Sequence, residues 1–183
     1  MSVTIVAGVT GVGLTSVCQA VRGKLGDGYT LLNFGDVMLE QAATSGITTD
    51  RAELATLSQT QTRRLQRRAG EFVADEAAQT NVILSTHLAV ETDAGYIQGL
   101  PEEVLDDLSP TTFILVEAAP ETIRHRRGDG DSAAVDSTRK IAFEQQLNRS
   151  AALQYAREQN APVEFLENEG SIAAAAERMA DTL

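Results

Sequence analysis

The chain of 183 residues has one cysteine, no tryptophan and only two lysines. A lone cysteine, Cys18, excludes an internal disulfide, and its place in an apolar helical stretch indicates a buried small side chain. Two distant histidines and one cysteine give no metal-ligand spacing, so we expect no metal site built from protein ligands alone. The aromatic content of 4% predicts a core of small aliphatic side chains.

The sequence also lacks an apolar run long enough to span a bilayer, and its first residues show no basic leader. We therefore expect a cytoplasmic protein. Its charge is one-sided, because 15 Lys and Arg against 26 Asp and Glu give a formal net charge of -11. Such a field repels nucleic acid and anionic membrane, so neither is an expected partner. The acidic, lysine-poor composition favours a halophilic, high-salt cytoplasm.

Short apolar runs alternate with helical patterns along the chain. Because the runs are apolar on both faces, they are typical of parallel strands that helices cover on both sides. The sequence therefore predicts one α/β domain spanning residues 1–183. The predicted strands cover residues 3–7, 30–34, 82–86, 113–117 and 163–166.

Capping and turn residues mark the helices between these strands. Ser58 and Gln61 form a capping-box pattern ahead of an apolar helical repeat, which predicts a helix over about 58–79. Pro101 and the two glutamates after it predict another helix start, and Pro110 marks the end of that helix. The segment at about 128–136, rich in Gly, Asp and Ser, predicts a short lid.

The strongest chemical signal is the glycine-rich loop that follows the first predicted strand. It matches the spacing G-x-x-x-x-G-x-[ST], and a helix pattern follows it. Backbone N–H groups in such a loop, with the helix N-terminus behind them, hold a nucleotide phosphate without a basic surface. The predicted phosphate-binding residues are Gly8, Val9, Thr10, Gly11, Val12, Gly13, Leu14, Thr15 and Ser16.

Two residues of this loop bear on the chemistry. Thr15 is placed to offer its hydroxyl to the Mg²⁺ of MgATP. Leu14 stands where the motif normally has a lysine that bridges the terminal phosphates. The alternative is a glycine-rich strand-to-helix turn that binds no ligand.

Together with further segments, this loop resembles the archaeal adenylate kinases over most of the chain. The similar segments beyond the loop are residues 33–38 (NFGDVM), 50–51 (DR), 61–78 (QTRRLQRRAGEFVADEAA), 86–87 (TH), 95–101 (GYIQGLP) and 148–149 (NR). The stretch from Thr86-His87 to Pro101 is the most distinctive of them. The resemblance implies a P-loop kinase fold with three α/β/α layers, in which a five-stranded parallel sheet has the order 2-3-1-4-5.

The resemblance also implies reversible phosphoryl transfer between MgATP and AMP, with ATP and Mg²⁺ as cofactors and a homotrimer as the assembly. Tyr96 then packs either on a base or on the core, and without the family context His87 is better interpreted as a buried structural histidine. The implied acceptor-binding residues are Phe34, Arg51, His87, Tyr96, Gly99 and Leu100. The implied catalytic residues, which neutralise the transferring group, are Arg126, Arg139 and Arg149.

Four departures from the family pattern fall near the predicted chemistry. Leu14 replaces the loop lysine, Ser85 replaces an aspartate that supports magnesium, and Glu91 replaces a basic residue. The fourth is the predicted lid, which contains no arginine. Since charges of this kind stabilise phosphoryl transfer, two alternatives remain open. One is a catalytically impaired nucleotide-binding or sensor protein on the same fold, and the other is a kinase for a different nucleoside monophosphate.

Overall fold

The computed structural model describes residues 1–92, 95–128 and 137–183. Its strands are β1 (Val3–Ala7), β2 (Tyr29–Asn33), β3 (Asn81–Thr86), β4 (Ala89–Thr92), β5 (Gly95–Gln98), β6 (Thr112–Glu117) and β7 (Val163–Glu167). Its helices are α1 (Leu14–Arg22), α2 (Phe34–Thr44), α3 (Arg51–Leu54), α4 (Gln59–Ala77), α5 (Glu102–Leu108), α6 (Pro120–Arg127), α7 (Thr138–Glu158) and α8 (Ile172–Thr182). None of the helices in these ranges combines the length and apolar character needed to cross a bilayer.

Five strands form one parallel sheet in the order β2-β3-β1-β6-β7. Since β6 and β7 are its fourth and fifth strands in chain order, the predicted order 2-3-1-4-5 is confirmed. The central strand β1 is buried along its whole length. It pairs with β3 on one side and β6 on the other, so the loop that follows it emerges at the middle of the sheet edge.

Helices cover both faces of this sheet, as the two-sided apolar runs predict. Val3, Ile5 and Ala7 of β1 face one core cluster, which α2, α4, α5 and α7 complete. Val6 faces a second cluster, to which α1, α6 and α8 contribute buried side chains. The predicted three-layer arrangement is therefore confirmed.

The predicted capping box is present at the start of α4. The Ser58 hydroxyl accepts from the Gln61 N–H, and the Gln61 side chain accepts from the Ser58 N–H. Further along this helix, a Cβ on Gly70 would lie 2.8 Å from Cγ1 of Val104, so glycine permits α4 and α5 to pack closely. The helix covers Gln59–Ala77, close to the predicted 58–79.

Strands β4 and β5 form an antiparallel hairpin that the sequence reasoning missed. Val90 lies opposite Ile97, and Glu91 lies opposite Tyr96. Each strand has only four residues, too short for a hydrophobic alternation to stand out from a loop. The predicted lid, by contrast, lies outside the described residues except for Gly128.

The Cys18 thiol on α1 should resist alkylation while the protein is folded. The residue is 2% exposed, and burial raises its pKa to about 12. Because the thiolate is the reactive form, only about one thiol in ten thousand is ionised at pH 8. We therefore expect no iodoacetamide labelling until α1 leaves the core, as mass spectrometry along a urea titration would show. Labelling at urea concentrations below those at which the far-UV circular dichroism of the helices is lost would contradict this burial.

Candidate functional site

A cavity of about 690 Å³ opens where β1 and β3 end, the edge at which parallel α/β sheets place ligands. Its wall includes the loop after β1, the start of α2, the β4–β5 hairpin and the loop between β7 and α8. The structure thus brings most of the predicted site residues together. Those on the wall are Val9, Thr10, Gly11, Gly13, Leu14, Thr15, Ser16, Phe34, Arg51, His87, Gly99 and Arg126.

The charged side chains on the described wall of this cavity are arginines, although the chain as a whole is acidic. Its wall, within the described ranges, includes Arg51 and Arg126 and contains no aspartate or glutamate. The whole chain nevertheless carries a formal net charge of -11. A concave site with cations and no carboxylates attracts an anion even on an acidic protein.

Two glycines shape the loop after β1. Gly11 and Gly13 have φ angles of 83° and 89°, in the left-handed region that favours glycine. A Cβ on Gly13 would also lie 2.5 Å from Nδ2 of Asn168. Gly13 is the N-cap of α1, which begins at Leu14. The backbone therefore curls tightly against the N-terminus of a helix.

Side-chain donors hold three alternate carbonyls of this loop. Nδ1 of His87 lies 2.5 Å from the Gly8 carbonyl oxygen, and Nε of Arg127 donates to the Thr10 carbonyl at 2.9 Å. The Val12 carbonyl accepts from Nη1 of Arg126 at 3.1 Å and from Nδ2 of Asn168 at 2.8 Å. These contacts fix the curl of the loop from its carbonyl side.

The amide side of the same loop is left open. The N–H groups of Gly11, Gly13 and residues 14–16 have no acceptor anywhere in the described part of the chain. N–H groups at a helix N-terminus carry partial positive charge and bind anions. Thr15 and Ser16, which both carry hydroxyls, are also on the cavity wall. This arrangement fits a nucleotide phosphate with its magnesium ion.

Leu14 occupies the sequence position of the missing lysine, whereas Arg126 places a positive charge on the cavity wall. Leu14 is 8% exposed and packs into the core cluster beneath α1, so it supplies no charge. Arg126, at the end of α6, lies on the cavity wall beside the loop. Its guanidinium donates to the Val12 and Asn168 carbonyls, and it forms no salt bridge with a described residue.

The far end of the cavity is mainly apolar, with a few polar groups. Phe34 is buried at the start of α2, and Arg51 pairs with Asp36. Gln66 of α4 is 3% exposed, and its Nε2 donates to the Gln98 and Gly99 carbonyls at 3.0 and 3.1 Å. Both amide hydrogens of Gln66 are therefore used. Its remaining polar atom, the acceptor Oε1, belongs to a residue that lines the cavity.

Gly99 allows the end of the hairpin to cross the backbone that follows β3. A Cβ at this position would overlap the His87 carbonyl, and the Gly99 N–H donates to the Leu88 carbonyl at 3.0 Å. The neighbouring Leu100 is buried in the core and is not on the cavity wall. This close crossing holds the hairpin over the cavity.

Several other predicted residues lie off the cavity wall. Tyr96 packs edge-on against Phe143 at 5.7 Å, and its hydroxyl lies 3.5 Å from Oε1 of Glu144. Burial, followed by the charge of Glu144, raises the pKa of the Tyr96 hydroxyl. Arg139 is exposed near the start of α7. Gly8 and Val12 also lie behind the wall, where a Cβ on Gly8 would lie 2.7 Å from Cγ1 of Val12.

Arg149 turns toward the neighbouring strand end instead of the cavity. Its Nε and Nη2 donate to the two carboxylate oxygens of Glu117 at 2.8 and 2.6 Å. This hydrogen bonding raises the pKa of the guanidinium. A bidentate pair of this kind is geometrically specific, so contact with a phosphate would require Arg149 to leave Glu117.

Comparison with known proteins identifies the family. A family model described as an AAA domain matches residues 7–142. The adenylate kinase of Methanothermobacter thermautotrophicus is 37% identical over 170 residues, which cover 92% of this chain and 91% of that protein. The adenylate kinase of Thermococcus kodakarensis is 34% identical over 171 residues, covering 91% and 86%. The chain belongs to the adenylate kinase family. The resemblance to archaeal adenylate kinases is thereby confirmed.

Solved structures support the fold of this adenylate kinase family member. A shikimate kinase from Bacteroides thetaiotaomicron matches with a TM-score of 0.63 at 16% identity, covering 99% of this chain and 97% of that one. A sugar kinase from Janibacter sp. HTCC2649 matches with a TM-score of 0.56 at 18% identity, covering 99% and 93%. These likenesses show a kinase fold and nothing finer.

Two departures from the family pattern have a structural account. Ser85, in place of the aspartate, accepts from Nδ2 of Asn33 and donates to the Leu32 carbonyl, both at 3.2 Å. Glu91, in place of a basic residue, pairs with Nζ of Lys140 at 2.9 Å and lies off the cavity wall. Neither substitution therefore adds negative charge to the cavity.

Sequence reasoning missed Gln66 and Asn168. Asn168 is 2% exposed, and its Oδ1 is a buried acceptor without a partner in the described structure. It follows β7, and a lone asparagine after a strand carries no pattern that would single it out. Gln66 lies within the family-like helix, but the arginines around it dominate that sequence.

Proposed function

We propose that this protein is an adenylate kinase that catalyses reversible phosphoryl transfer from MgATP to AMP, giving two ADP. One observation carries the proposal: a cavity whose described wall has no carboxylate combines an open anion-binding loop at one end with a mainly apolar pocket, containing one arginine and a few polar groups, at the other. ATP and Mg²⁺ are the cofactors of this reaction. Transfer between two phosphates requires positioning and charge neutralisation and no covalent intermediate.

The loop of residues 8–16 holds the donor phosphates through its open N–H groups, and Thr15 offers its hydroxyl to magnesium. The metal ion neutralises charge on the donor phosphates during transfer. No carboxylate on the described wall is available to the ion. Thr15 is therefore the side chain of the described wall that would hold the ion, which would arrive as MgATP.

Arg126 supplies the positive charge that Leu14 does not. It lies on the cavity wall beside the loop, and its contacts with two carbonyls use only part of its five N–H donors. Arg139 and Arg149 keep their proposed roles in neutralising the transferring group, although the structure places neither on the wall.

Gln66 and Arg51 adapt the far end of the cavity to AMP. Arg51 holds the acceptor phosphate, and His87 and Gly99 fix the wall between the two ends. The fixed Oε1 of Gln66 accepts a hydrogen bond from an exocyclic amine, which adenine has and the keto edge of guanine lacks. The pocket therefore favours an adenine nucleotide.

Replacement of Gln66 by methionine should weaken AMP use selectively. Methionine keeps the volume but removes the acceptor, together with the two donors to the hairpin carbonyls, so we expect the KM for AMP to rise about tenfold to hundredfold. The KM for ATP should stay unchanged, and the preference for AMP over GMP should fall. Steady-state kinetics with both acceptors checks this, with thermal unfolding as the control for folding. An unchanged AMP-to-GMP preference would remove Gln66 from base recognition.

A catalytically impaired nucleotide-binding protein is the second candidate, and the burial of Leu14 in the core favours it. A coupled assay for ADP formation in high salt, beside calorimetric titration with MgATP, separates the two candidates. Turnover that requires both ATP and AMP supports the kinase. Tight MgATP binding without turnover supports the impaired binder, and restoring Leu14→Lys together with Ser85→Asp should then raise activity.

A further inference from the structure

Glu144 of α7 carries a largely buried carboxylate that lies off the cavity wall. Its side chain is 13% exposed, and its Oε2 accepts from Nη2 of Arg127 at 2.8 Å. The Arg127 side chain is equally shielded, at 13% exposure. This pairing is therefore less screened by water and salt than a surface ion pair.

Arg127 connects this carboxylate to the phosphate loop. Its Nε donates to the Thr10 carbonyl at 2.9 Å, while a different nitrogen, Nη2, contacts Glu144. The side chain also lies across Gly11, where an added Cβ would be 2.8 Å from Cγ of Arg127. One guanidinium thus spans the loop backbone and α7, a geometry that the planar fork of arginine permits.

Further contacts hold Glu144 in place. Its Oε1 lies 3.5 Å from the Tyr96 hydroxyl of the hairpin and 3.9 Å from Nζ of Lys140. Lys140 is itself fixed by Glu91, and that hydrogen bond is the main cause that raises the Lys140 pKa. The carboxylate is therefore anchored to both α7 and the hairpin while it holds Arg127.

We propose that Glu144 is a positioning residue for the donor site, which acts through Arg127 on the loop of residues 8–16. This inference rests on the proposed function. In the proposed function the open loop amides bind the donor phosphates, and their alignment depends on how firmly the carbonyls behind them are held. Glu144 contributes to that alignment without touching the nucleotide.

The test is a double-mutant cycle on MgATP binding, measured by calorimetry on the full chain. Glu144→Ala should weaken MgATP binding about tenfold, since a shielded charge-assisted contact is lost. AMP binding should remain unchanged. In an Arg127→Ala background, Glu144→Ala should cause no further loss of MgATP affinity, because its route to the loop is already broken.

Glu71→Ala is the matched control, since it removes a glutamate that pairs with Arg67 at 3.6 Å on the exposed face of α4. It should leave MgATP binding unchanged. The inference would be overturned if Glu144→Ala weakened MgATP binding by the same factor in the wild-type and Arg127→Ala backgrounds, or if Glu144→Ala had wild-type affinity. Either result would leave the kinase proposal intact. Failure of the wild-type protein to bind MgATP would instead reject the proposed function.

Discussion

Replacement of Arg126 by alanine is expected to lower kcat by about three orders of magnitude, the scale on which an arginine facing a transferring phosphoryl group acts. Leu14 is buried and uncharged, and the described cavity wall has only Arg51 as another arginine, at the acceptor end. Loss of Arg126 therefore removes the only arginine at the donor end of the described wall. Initial-rate kinetics with saturating ATP and AMP measures the effect.

Two further variants separate the charge of Arg126 from its contacts. Arg126→Lys keeps the charge but not the paired contacts with the Val12 and Asn168 carbonyls, so part of the activity should return. Arg124→Ala, on the same helix but off the cavity wall, should be close to wild type. A kcat for Arg126→Ala within a few-fold of wild type would move the charge requirement to Arg139 or Arg149.

Replacement of Gly13 by alanine is expected to raise the Kd for MgATP by about a hundredfold, because both strain and overlap oppose the native loop. The φ angle of 89° disfavours alanine, and its Cβ would lie 2.5 Å from Nδ2 of Asn168. The loop must then uncurl or displace Asn168 from the Val12 carbonyl. Either change misaligns the amides that open into the cavity.

Gly23→Ala is the control at the other end of α1. Its φ angle of -66° suits alanine, and its added Cβ would meet only the Ala20 carbonyl oxygen, at 3.5 Å. This variant should bind MgATP like wild type, with unchanged or slightly raised stability. Calorimetry and thermal unfolding on both variants provide the comparison. Wild-type MgATP affinity in Gly13→Ala would show that the tight curl is not needed for binding.

Much of the fold follows from local sequence patterns. The buried strands appear as continuous apolar runs because helices cover both faces, and the capping box at Ser58 depends only on contacts within one helical turn. The phosphate-binding loop around Gly13 could also be predicted, since the spacing of glycines after a strand indicates a tightly curled backbone. The sheet order came from the family resemblance, because strand neighbours depend on the path of the whole chain.

The side-chain pairings of the site could not be predicted in the same way. Arg149 pairs with Glu117 and Arg127 with Glu144, and nothing in the local sequence tells which carboxylate each arginine will meet. The acceptor role of Gln66 depends on two hairpin carbonyls 32 and 33 residues away. The strands of the hairpin were too short to show an alternation of apolar and polar residues.

The central claim is that one cavity holds both nucleotides and transfers a phosphoryl group between them. Its most direct test is a single-turnover reaction with ATP labelled at the γ-phosphate, AMP and Mg²⁺ in high salt. Our account predicts that the label appears at the β-position of ADP, only when AMP is present. Label that stays in bound ATP, or leaves as inorganic phosphate regardless of AMP, would contradict it.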